Sequence, residues 1–301
     1  MKNQLIRPAL LMFLLFMAAN QQVSAQGGID LYNYDLKLIN PAFLAVDSDF
    51  EITGFYKARP FYYNDNTETY MFTHANRIGA SNSAIGSMVW YQDNDLARWI
   101  RFSTGYSYKF NLTDKSKLSF GAYLKYSNLK VDPNYYVEIL PDHPEVINEL
   151  NSIERGVDMD LGVGYISGNS RIGLNVSNIW APSNSVKTFN PRRRRYNAFI
   201  SQKLNINHWL SFTPSLMFKT DFSQRQLDIN GVFVFKNLIL FGINYEWREN
   251  GPNDINLSAG VRVKDKAEFI VRGFSLLRST SVYTPAGLDI EAMLKLKLGR
   301  K

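Results

Sequence analysis

The chain has 301 residues, of which 45% are hydrophobic and 14% aromatic, and it carries a formal net charge of +7. That length allows one large core or one large barrel and does not require two domains. The sequence contains no cysteine, which excludes a fold that depends on disulfides and removes thiolates from any metal site.

The N-terminal residues have the features of a secretory signal peptide. Lys2 and Arg7 precede an apolar run over 9–19 that is too short to span a bilayer. Small residues then lead to Ala25, a suitable cleavage point, so we predict a signal peptide over 1–25 and an exported mature chain. An exported chain rarely meets nucleic acid, so the positive charge indicates lipid phosphates, a basic lumen or an acidic partner instead.

The mature chain has no apolar run long enough for a membrane-spanning helix, but many of its segments alternate apolar and polar residues. A period of two gives a β-strand one apolar face. Fourteen segments with this pattern are candidate strands, near 50–58, 68–77, 83–91, 98–111, 116–129, 157–167, 170–179, 195–206, 209–219, 226–235, 238–248, 254–264, 267–278 and 288–298. Most have about the length, roughly 9–11 residues, that a tilted strand needs to cross a bilayer.

The connections between these strands alternate between longer and shorter along most of the chain. The longer ones lie near 59–67, 92–97, 130–156, 180–194, 220–225, 249–253 and 279–287. The shorter ones lie near 78–82, 112–115, 168–169, 207–208, 236–237 and 265–266. Two-residue links of Gly, Asn and Asp are typical of tight hairpin turns. Short turns on one side and long loops on the other are typical of outer-membrane barrels.

We therefore predict an all-β fold, a transmembrane outer-membrane β-barrel of about 14 antiparallel strands with short periplasmic turns and long extracellular loops. The barrel is expected to occupy residues 50–301, and residues 26–49 to form an N-terminal periplasmic or plug-like segment. A soluble β-sandwich or lipocalin-like barrel is the alternative, because it shares the alternation and the export. Its loop lengths are expected to vary more.

The predicted inner face carries many charges of both signs, where they avoid contact with lipid. These residues are Arg101, Lys109, Lys125, Asp158, Asp160, Arg171, Glu246, Arg248, Arg262, Arg272, Asp289, Glu291, Lys295 and Lys297. They are compatible with an aqueous pore and equally with ion pairs that close the lumen. Gly162 and Gly164 also face the predicted lumen, which indicates either room for something packed inside or tight curvature.

No group of residues has the pattern of a catalytic or metal site. The three histidines, His74, His143 and His208, lack the spacing of metal ligands, and no cysteine can complement them. No serine, histidine and acid stand in an arrangement that suggests a hydrolase. We therefore expect a protein that is not an enzyme and that has no catalytic residues, metal or cofactor.

A run of four arginines, Arg192, Arg193, Arg194 and Arg195, lies in a predicted outer loop. Guanidinium groups in such a run can bind lipid phosphates or the carboxylates of an acidic partner. A charge cluster that is simply solvated at the edge of a strand explains the run equally well. The run is therefore our candidate binding loop for a partner or for outer-membrane lipid, with both interpretations open.

Several segments together resemble the PorP/SprF family, which are outer-membrane proteins of the Bacteroidota type IX secretion system. The sequence Asn40-Pro41-Ala42 is similar to the N-terminal Asn-Pro-Ala segment of that family. Residues 158–179 resemble its central hairpin, and residues 213–260 resemble its C-terminal half. The order and spacing of these segments carry the resemblance, which covers most of the mature chain.

The resemblance implies a non-enzymatic multi-pass protein of the cell outer membrane. Its expected role is to support the secretion or surface attachment of cargo proteins with type IX C-terminal signals. The implied partners are other components of that secretion system and its cargo, including large adhesins of gliding bacteria. The alternative function is a passive, porin-like diffusion channel for small solutes.

Overall fold

The computed structural model of the protein describes residues 30–58, 67–79, 81–94, 97–131, 154–180, 194–249, 253–275 and 289–299. The predicted signal peptide and much of the predicted long loops lie outside these residues. The strands are β1 (Phe50–Ala58), β2 (Glu68–Arg77), β3 (Ser83–Asn94), β4 (Ala97–Thr113), β5 (Ser116–Val131), β6 (Glu154–Ser167), β7 (Ser170–Ser177), β8 (Arg195–Gln202), β9 (Leu204–Asn205), β10 (Leu210–Thr220), β11 (Arg225–Phe235), β12 (Ile239–Arg248), β13 (Asp254–Val263), β14 (Ala267–Ser275) and β15 (Ile290–Leu298).

The sheet closes on itself, because the first strand, β1, pairs antiparallel with the last strand, β15, as well as with β2. Strands β8 and β9 lie in one line and both pair with β10, so the fifteen segments form fourteen barrel strands. The register places Gln202 opposite Pro214 of β10, and proline has no N–H to donate, which explains the break between β8 and β9. The predicted closed antiparallel barrel is confirmed.

Side chains alternate between an outward apolar face and an inward polar face. Along β4, the outward-facing Phe102 and Tyr106 are 53% and 48% exposed, whereas the inward-facing Ser103 and Ser107 are buried. The same alternation runs through the other long strands, which places apolar and aromatic side chains around the outside of the barrel. That arrangement matches the lipid-facing band of an outer-membrane barrel.

The short connections all lie at one end of the barrel, which we call the turn end, and the long connections lie at the opposite loop end. Lys236 and Asn237 form one of the short turns with φ values of 47° and 53°. Two consecutive positive φ values are typical of a type I′ hairpin turn, whose twist matches that of the strands. Phe50 pairs with Leu298, so the barrel both begins and ends at the turn end.

Residues 30–48, which we call the lumenal segment, lie inside the barrel. They form three short 3₁₀ helices, Leu31–Tyr34, Leu36–Leu38 and Pro41–Phe43. None of the described helices is long or apolar enough to cross a membrane. Apolar side chains of the segment pack against different parts of the wall, at Phe55 and Met293, at Phe199 and Met217, and at Ala75 and Tyr123.

Candidate functional site in the barrel lumen

The lumenal segment runs along the lumen from the loop end to the turn end. Asp30 lies beside Lys57 and Glu291, which stand at the loop ends of β1 and β15. At the other end, the main-chain N–H of Arg77 donates a 2.7 Å hydrogen bond to the carbonyl oxygen of Asp49. The segment is therefore joined covalently to β1 at the turn end, and its N-terminal side lies at the loop end.

A cluster of buried charges binds the segment at the loop end. Lys57 Nζ lies 3.3 Å from Asp30 Oδ2 and 2.8 Å from Glu291 Oε1. Arg272 contacts Asp30 and lies 3.2 Å from Glu291 and 2.8 Å from Glu246. Charges of opposite sign alternate through the cluster, which offsets the cost of removing them from water. Removal of any one of these charged side chains therefore leaves its buried partners of opposite charge incompletely neutralised.

A second buried cluster holds the middle of the segment. Lys37 Nζ contacts Asp35 and lies 3.1 Å from Glu51 Oε2, and it donates to Thr53 Oγ1 at 3.0 Å. Lys295 of β15 lies 3.3 Å from Asp35 on the other side. The side chains of Lys37 and Lys295 are 0% and 1% exposed, so both ammonium groups depend on these partners. The two lysines link the segment to both strands at the barrel seam.

Tyr32 connects the segment to the opposite wall. Its hydroxyl donates a 2.8 Å hydrogen bond to Asp228 Oδ2 and accepts one of 3.1 Å from Asn230 Nδ2, both on β11. Lys219 lies 2.7 Å from the same carboxylate oxygen, and its Nζ is 4.7 Å from the centroid of the Tyr32 ring. The ammonium therefore pairs with the acid and makes a cation–π contact at once.

The Asn40-Pro41-Ala42 sequence contacts the wall at β6 and β7. Asn40 Nδ2 donates to the carbonyl oxygens of Val163 and Leu174 at 3.2 and 3.1 Å. Its Oδ1 accepts a 2.9 Å hydrogen bond from the N–H of Ala42, and Pro41 occupies the first position of the short helix. Asparagine as a cap followed by proline is a favoured helix start, so these residues both shape the segment and fix it to the wall.

Glycines in the wall make room for this contact. A Cβ atom at Gly162 would lie 1.9 Å from Asn40 Oδ1, and one at Gly121 would lie 2.4 Å from the carbonyl carbon of Pro41. At Gly164, a Cβ would lie 3.3 Å from the Cβ of Ala42. Of the two interpretations open for the lumenal glycines, these distances favour room for a packed segment, because the backbone of the wall is approached directly.

Little space is left beside the segment on the described side of the lumen near β11 to β14. A cavity of about 10 Å³ remains there, lined by Tyr34, Asn230, Asn244, Asn256, Ser258 and Arg272. This volume is at the lower limit for one water molecule. The polar lining suits a water molecule, and the cavity is too small for a larger solute.

The arginine run is only partly within the described residues. Arg192 and Arg193 lie outside them, so their surroundings are not described. Arg194 donates a 2.5 Å hydrogen bond to the carbonyl oxygen of Ile179, and Arg195 begins β8 opposite Ser177. Two of the four arginines are thus half-buried at the loop end beside β7, close to the lumenal mouth.

The described histidines do not meet the acids and hydroxyls that a catalytic centre needs. His74 faces outward from β2 with its ring 5.2 Å from that of Phe50, and His208 lies in the short turn before β10. His143 lies outside the described residues. Within the described part of the chain, no group of three or more His, Cys, Asp or Glu is placed to hold a metal ion.

Several residues that hold the lumenal segment in place are not among those predicted from the sequence. Asp30, Asp35 and Lys37 lie in an irregular segment that has no periodic pattern. The inward-facing Glu51, Lys57, Asp228 and Glu268 are absent from the predicted inner charges. A signal for the strand residues was present, since Glu51, Thr53 and Lys57 alternate with apolar neighbours along β1.

Comparison with known families and structures agrees with this architecture. The family model described as Type IX secretion system membrane protein PorP/SprF matches residues 25–284 of the chain. No curated protein matches it. The resemblance of the separate segments described above is therefore confirmed by a match that extends over most of the chain.

Solved outer-membrane barrels are similar in structure and distant in sequence. The CymD monoaromatic hydrocarbon channel has a TM-score of 0.56 and 9% identity, over 92% of this chain and 95% of that one. The Pseudomonas putida toluene transporter TodX has a TM-score of 0.50 and 9% identity over the same shares of the two chains. CdiB from Escherichia coli has a TM-score of 0.50 and 7% identity, over 82% of this chain and 62% of that one. These identities show a shared barrel fold only.

Proposed function

The chain belongs to the PorP/SprF family of type IX secretion system membrane proteins, and on that premise we propose that it supports the secretion or surface attachment of cargo proteins without catalysing a reaction. The observation that carries the proposal is the lumen itself. Buried ion pairs fix the lumenal segment to β1, β14 and β15, and Tyr32 fixes it to β11. A diffusion channel needs an open lumen, whereas a barrel that binds partners does not.

In this proposal the chain has three parts. Residues 1–25 are a signal peptide that directs export, residues 26–49 act as a plug, and residues 50–301 form the barrel in the outer membrane. The partners are other type IX secretion components and the secreted or surface cargo, with adhesins of gliding bacteria among the candidates. Arg192 to Arg195 supply positive charge near the loop end for an acidic partner or for outer-membrane lipid.

A porin-like diffusion channel for small solutes is the second candidate function. Two of the similar structures are a monoaromatic hydrocarbon channel and a toluene transporter, proteins named for the passage of small molecules. That property belongs to those proteins, and at 9% identity it does not extend to this chain. For this chain to conduct, the lumenal segment has to leave contacts that include two fully buried lysines, Lys37 and Lys295.

The proposal is tested with a strain from which the gene is deleted. Surface and medium proteins of the deletion strain and the parent are compared by quantitative mass spectrometry. We expect one or more proteins with type IX C-terminal signals to be lost from the surface or medium, and to return when the intact gene is restored. A tagged copy purified in mild detergent is expected to retain the same cargo or a secretion component.

Two controls separate the candidate functions. In the first control, the deletion strain receives the gene of an unrelated outer-membrane barrel of similar size. We expect no recovery of the missing cargo, and this result excludes a general effect on the envelope. Uptake of a small solute is measured in the same strains. Normal cargo display, a bare purified barrel and reduced solute uptake in the deletion strain would together establish the channel and exclude the secretion role.

A further inference from the structure

Three positively charged side chains face outward on neighbouring strands at the loop end. They are Arg98 on β4, Lys130 on β5 and Arg155 on β6, and all three are exposed. We call them the outer basic cluster. The register places Arg98 directly opposite Lys130, and it places Arg155 opposite Asn128, which also faces outward two positions before Lys130. The outer basic cluster shares no residue with the arginine run.

The register brings charges of the same sign close together. Residues directly opposite each other on antiparallel strands, such as Arg98 and Lys130, have Cβ atoms about 4.5–5.5 Å apart. Diagonal neighbours, such as Lys130 and Arg155, are roughly 7–8 Å apart. Like charges directly opposite each other destabilise a sheet, so this arrangement is unfavourable without an anion beside it.

Acids of the described chain neutralise only part of this charge. Arg98 Nε lies 3.1 Å from Asp93 Oδ2, so the terminal Nη1 and Nη2 atoms of the guanidinium point away from that ion pair. Lys130 and Arg155 form no ion pair with any residue that the structure describes. Three cations and one acid leave an excess of two positive charges at the outer basic cluster.

The outer basic cluster lies at the edge of the lipid-facing band. On the same three strands, the next outward positions toward the turn end include Ile100, Phe102, Tyr126 and Val157, which are all exposed. In the predicted orientation, with the long loops outside the cell, this edge lies at the headgroups of the outer leaflet. Arginine and lysine suit that depth, because their aliphatic stems lie along apolar surface while the charge reaches the headgroups.

We propose that the outer basic cluster binds the phosphate groups of lipopolysaccharide, the phosphorylated glycolipid of the outer leaflet. Each guanidinium can donate two parallel hydrogen bonds to a phosphate, and Lys130 supplies a point charge between Arg98 and Arg155. The acyl chains of the same lipid cover the apolar positions on the turn side, so one ligand matches both surfaces. An acidic soluble protein would leave those apolar positions uncovered. The inference does not rest on the proposed function.

The test compares lipid binding by the native barrel with binding by a variant that lacks the three charges. Arg98→Gln, Lys130→Gln and Arg155→Gln are combined in one chain. Both proteins are purified in detergent, freed of bound lipid and titrated with lipopolysaccharide, and the complexes are quantified by native mass spectrometry. We expect the dissociation constant of the variant to be at least about tenfold higher, because hydrogen bonds to charged groups are lost.

A matched variant removes the same charge from the opposite end of the barrel. Lys236, Lys264 and Lys266 are exposed lysines in the turns at the turn end, and each is replaced with glutamine. This variant should bind lipopolysaccharide as the native protein does. Heat-modifiable mobility on a gel shows whether both variants are folded. Equal weakening in the two variants would indicate an effect of net charge alone and would overturn the proposal.

Two further ligands identify the bound group with the native protein alone, so this part of the test does not depend on the folding of a variant. Chemically dephosphorylated lipopolysaccharide should bind at least about tenfold more weakly than the intact lipid, because it lacks the charged acceptors. Phosphatidylglycerol should also bind more weakly, since it carries a single phosphate for three cations. Equal binding of intact and dephosphorylated lipopolysaccharide, or tighter binding of phosphatidylglycerol, contradicts the proposal.

Discussion

Lys57 and Glu291 join the first and last strands of the barrel at the loop end. They are direct partners in the register of β1 and β15, and Lys57 Nζ lies 2.8 Å from Glu291 Oε1. The other carboxylate oxygen of Glu291 accepts hydrogen bonds from the N–H groups of Asp30 and Leu31 at 3.2 and 3.1 Å. One carboxylate thus serves both the closure of the barrel and the binding of the lumenal segment.

The first prediction concerns this carboxylate. Glu291→Leu is expected to lower the free energy of unfolding by about 3–5 kcal/mol, because it leaves buried positive charge at Lys57 and Arg272 without its partner. The measurement is urea unfolding of the barrel in lipid vesicles, followed by tryptophan fluorescence. Adding Lys57→Met restores the balance of charge, so the double variant should regain part of the loss.

An exposed ion pair provides the control for this prediction. Arg98 and Asp93 lie 3.1 Å apart at the loop end, with side chains 68% and 33% exposed. Arg98→Ala is expected to change stability by less than about 1 kcal/mol, because water screens such pairs. Equal effects of Glu291→Leu and Arg98→Ala would contradict the importance of the buried cluster.

The second prediction concerns the close approach of Gly162 to Asn40. Gly162→Ala places a methyl group where Asn40 Oδ1 lies, so Asn40 should lose its bonds to the wall and the lumenal segment should loosen. Limited proteolysis in detergent is expected to cleave the segment faster in this variant than in the native protein. Gly273→Ala adds a methyl group in open space and should leave the cleavage rate unchanged.

The third prediction is that the native barrel shows low or no steady conductance in planar bilayers. The lumenal segment runs through the lumen and is bound on several sides by described residues, so we expect it to interrupt the aqueous path that ions need. A variant lacking residues 30–47 retains the predicted cleavage region and β1, and it is expected to give stable single-channel currents. Large, stable currents from the native protein would instead favour the porin-like function.

The fourth prediction is the orientation of the barrel. We expect the long connections 130–156 and 180–194 to face the outside of the cell, since long loops of outer-membrane barrels are extracellular. A protease added to intact cells should cleave within one of them. Protection of both loops, together with cleavage at the turns 112–115 or 236–237, would require the opposite orientation.

The fifth prediction separates the two interpretations of the arginine run. Replacing Arg192 to Arg195 with serine is expected to weaken retention of the partner or of lipid during purification if the run is a binding surface. Because Arg194 bonds to Ile179 O, a variant that changes only Arg192 and Arg193 serves as the comparison that spares this contact. Unchanged retention in both variants would show a solvated charge cluster.

The barrel fold could be predicted from the amino-acid sequence alone. Side chains on a β-strand alternate between two faces, and in a membrane barrel one of these faces contacts lipid. Apolar residues therefore recur at every second position, and this pattern can be recognised within a single segment of sequence. The observed β1 (Phe50–Ala58) and β2 (Glu68–Arg77) match the predicted ranges 50–58 and 68–77. One irregularity, the break after Gln202, depends on Pro214 in the neighbouring strand and cannot be predicted from the segment alone.

The contents of the lumen, in contrast, could not be predicted from the sequence and are seen only in the folded chain. The inner charges were compatible with a pore and with pairing, and the partners that settle the matter are far apart in sequence, as in Asp30 with Arg272 and Asn40 with Leu174. The lumenal segment is irregular, so its sequence has no periodic pattern from which its conformation could be predicted. Its conformation follows from contacts with strands on several sides, and these contacts exist only once the barrel has closed around it.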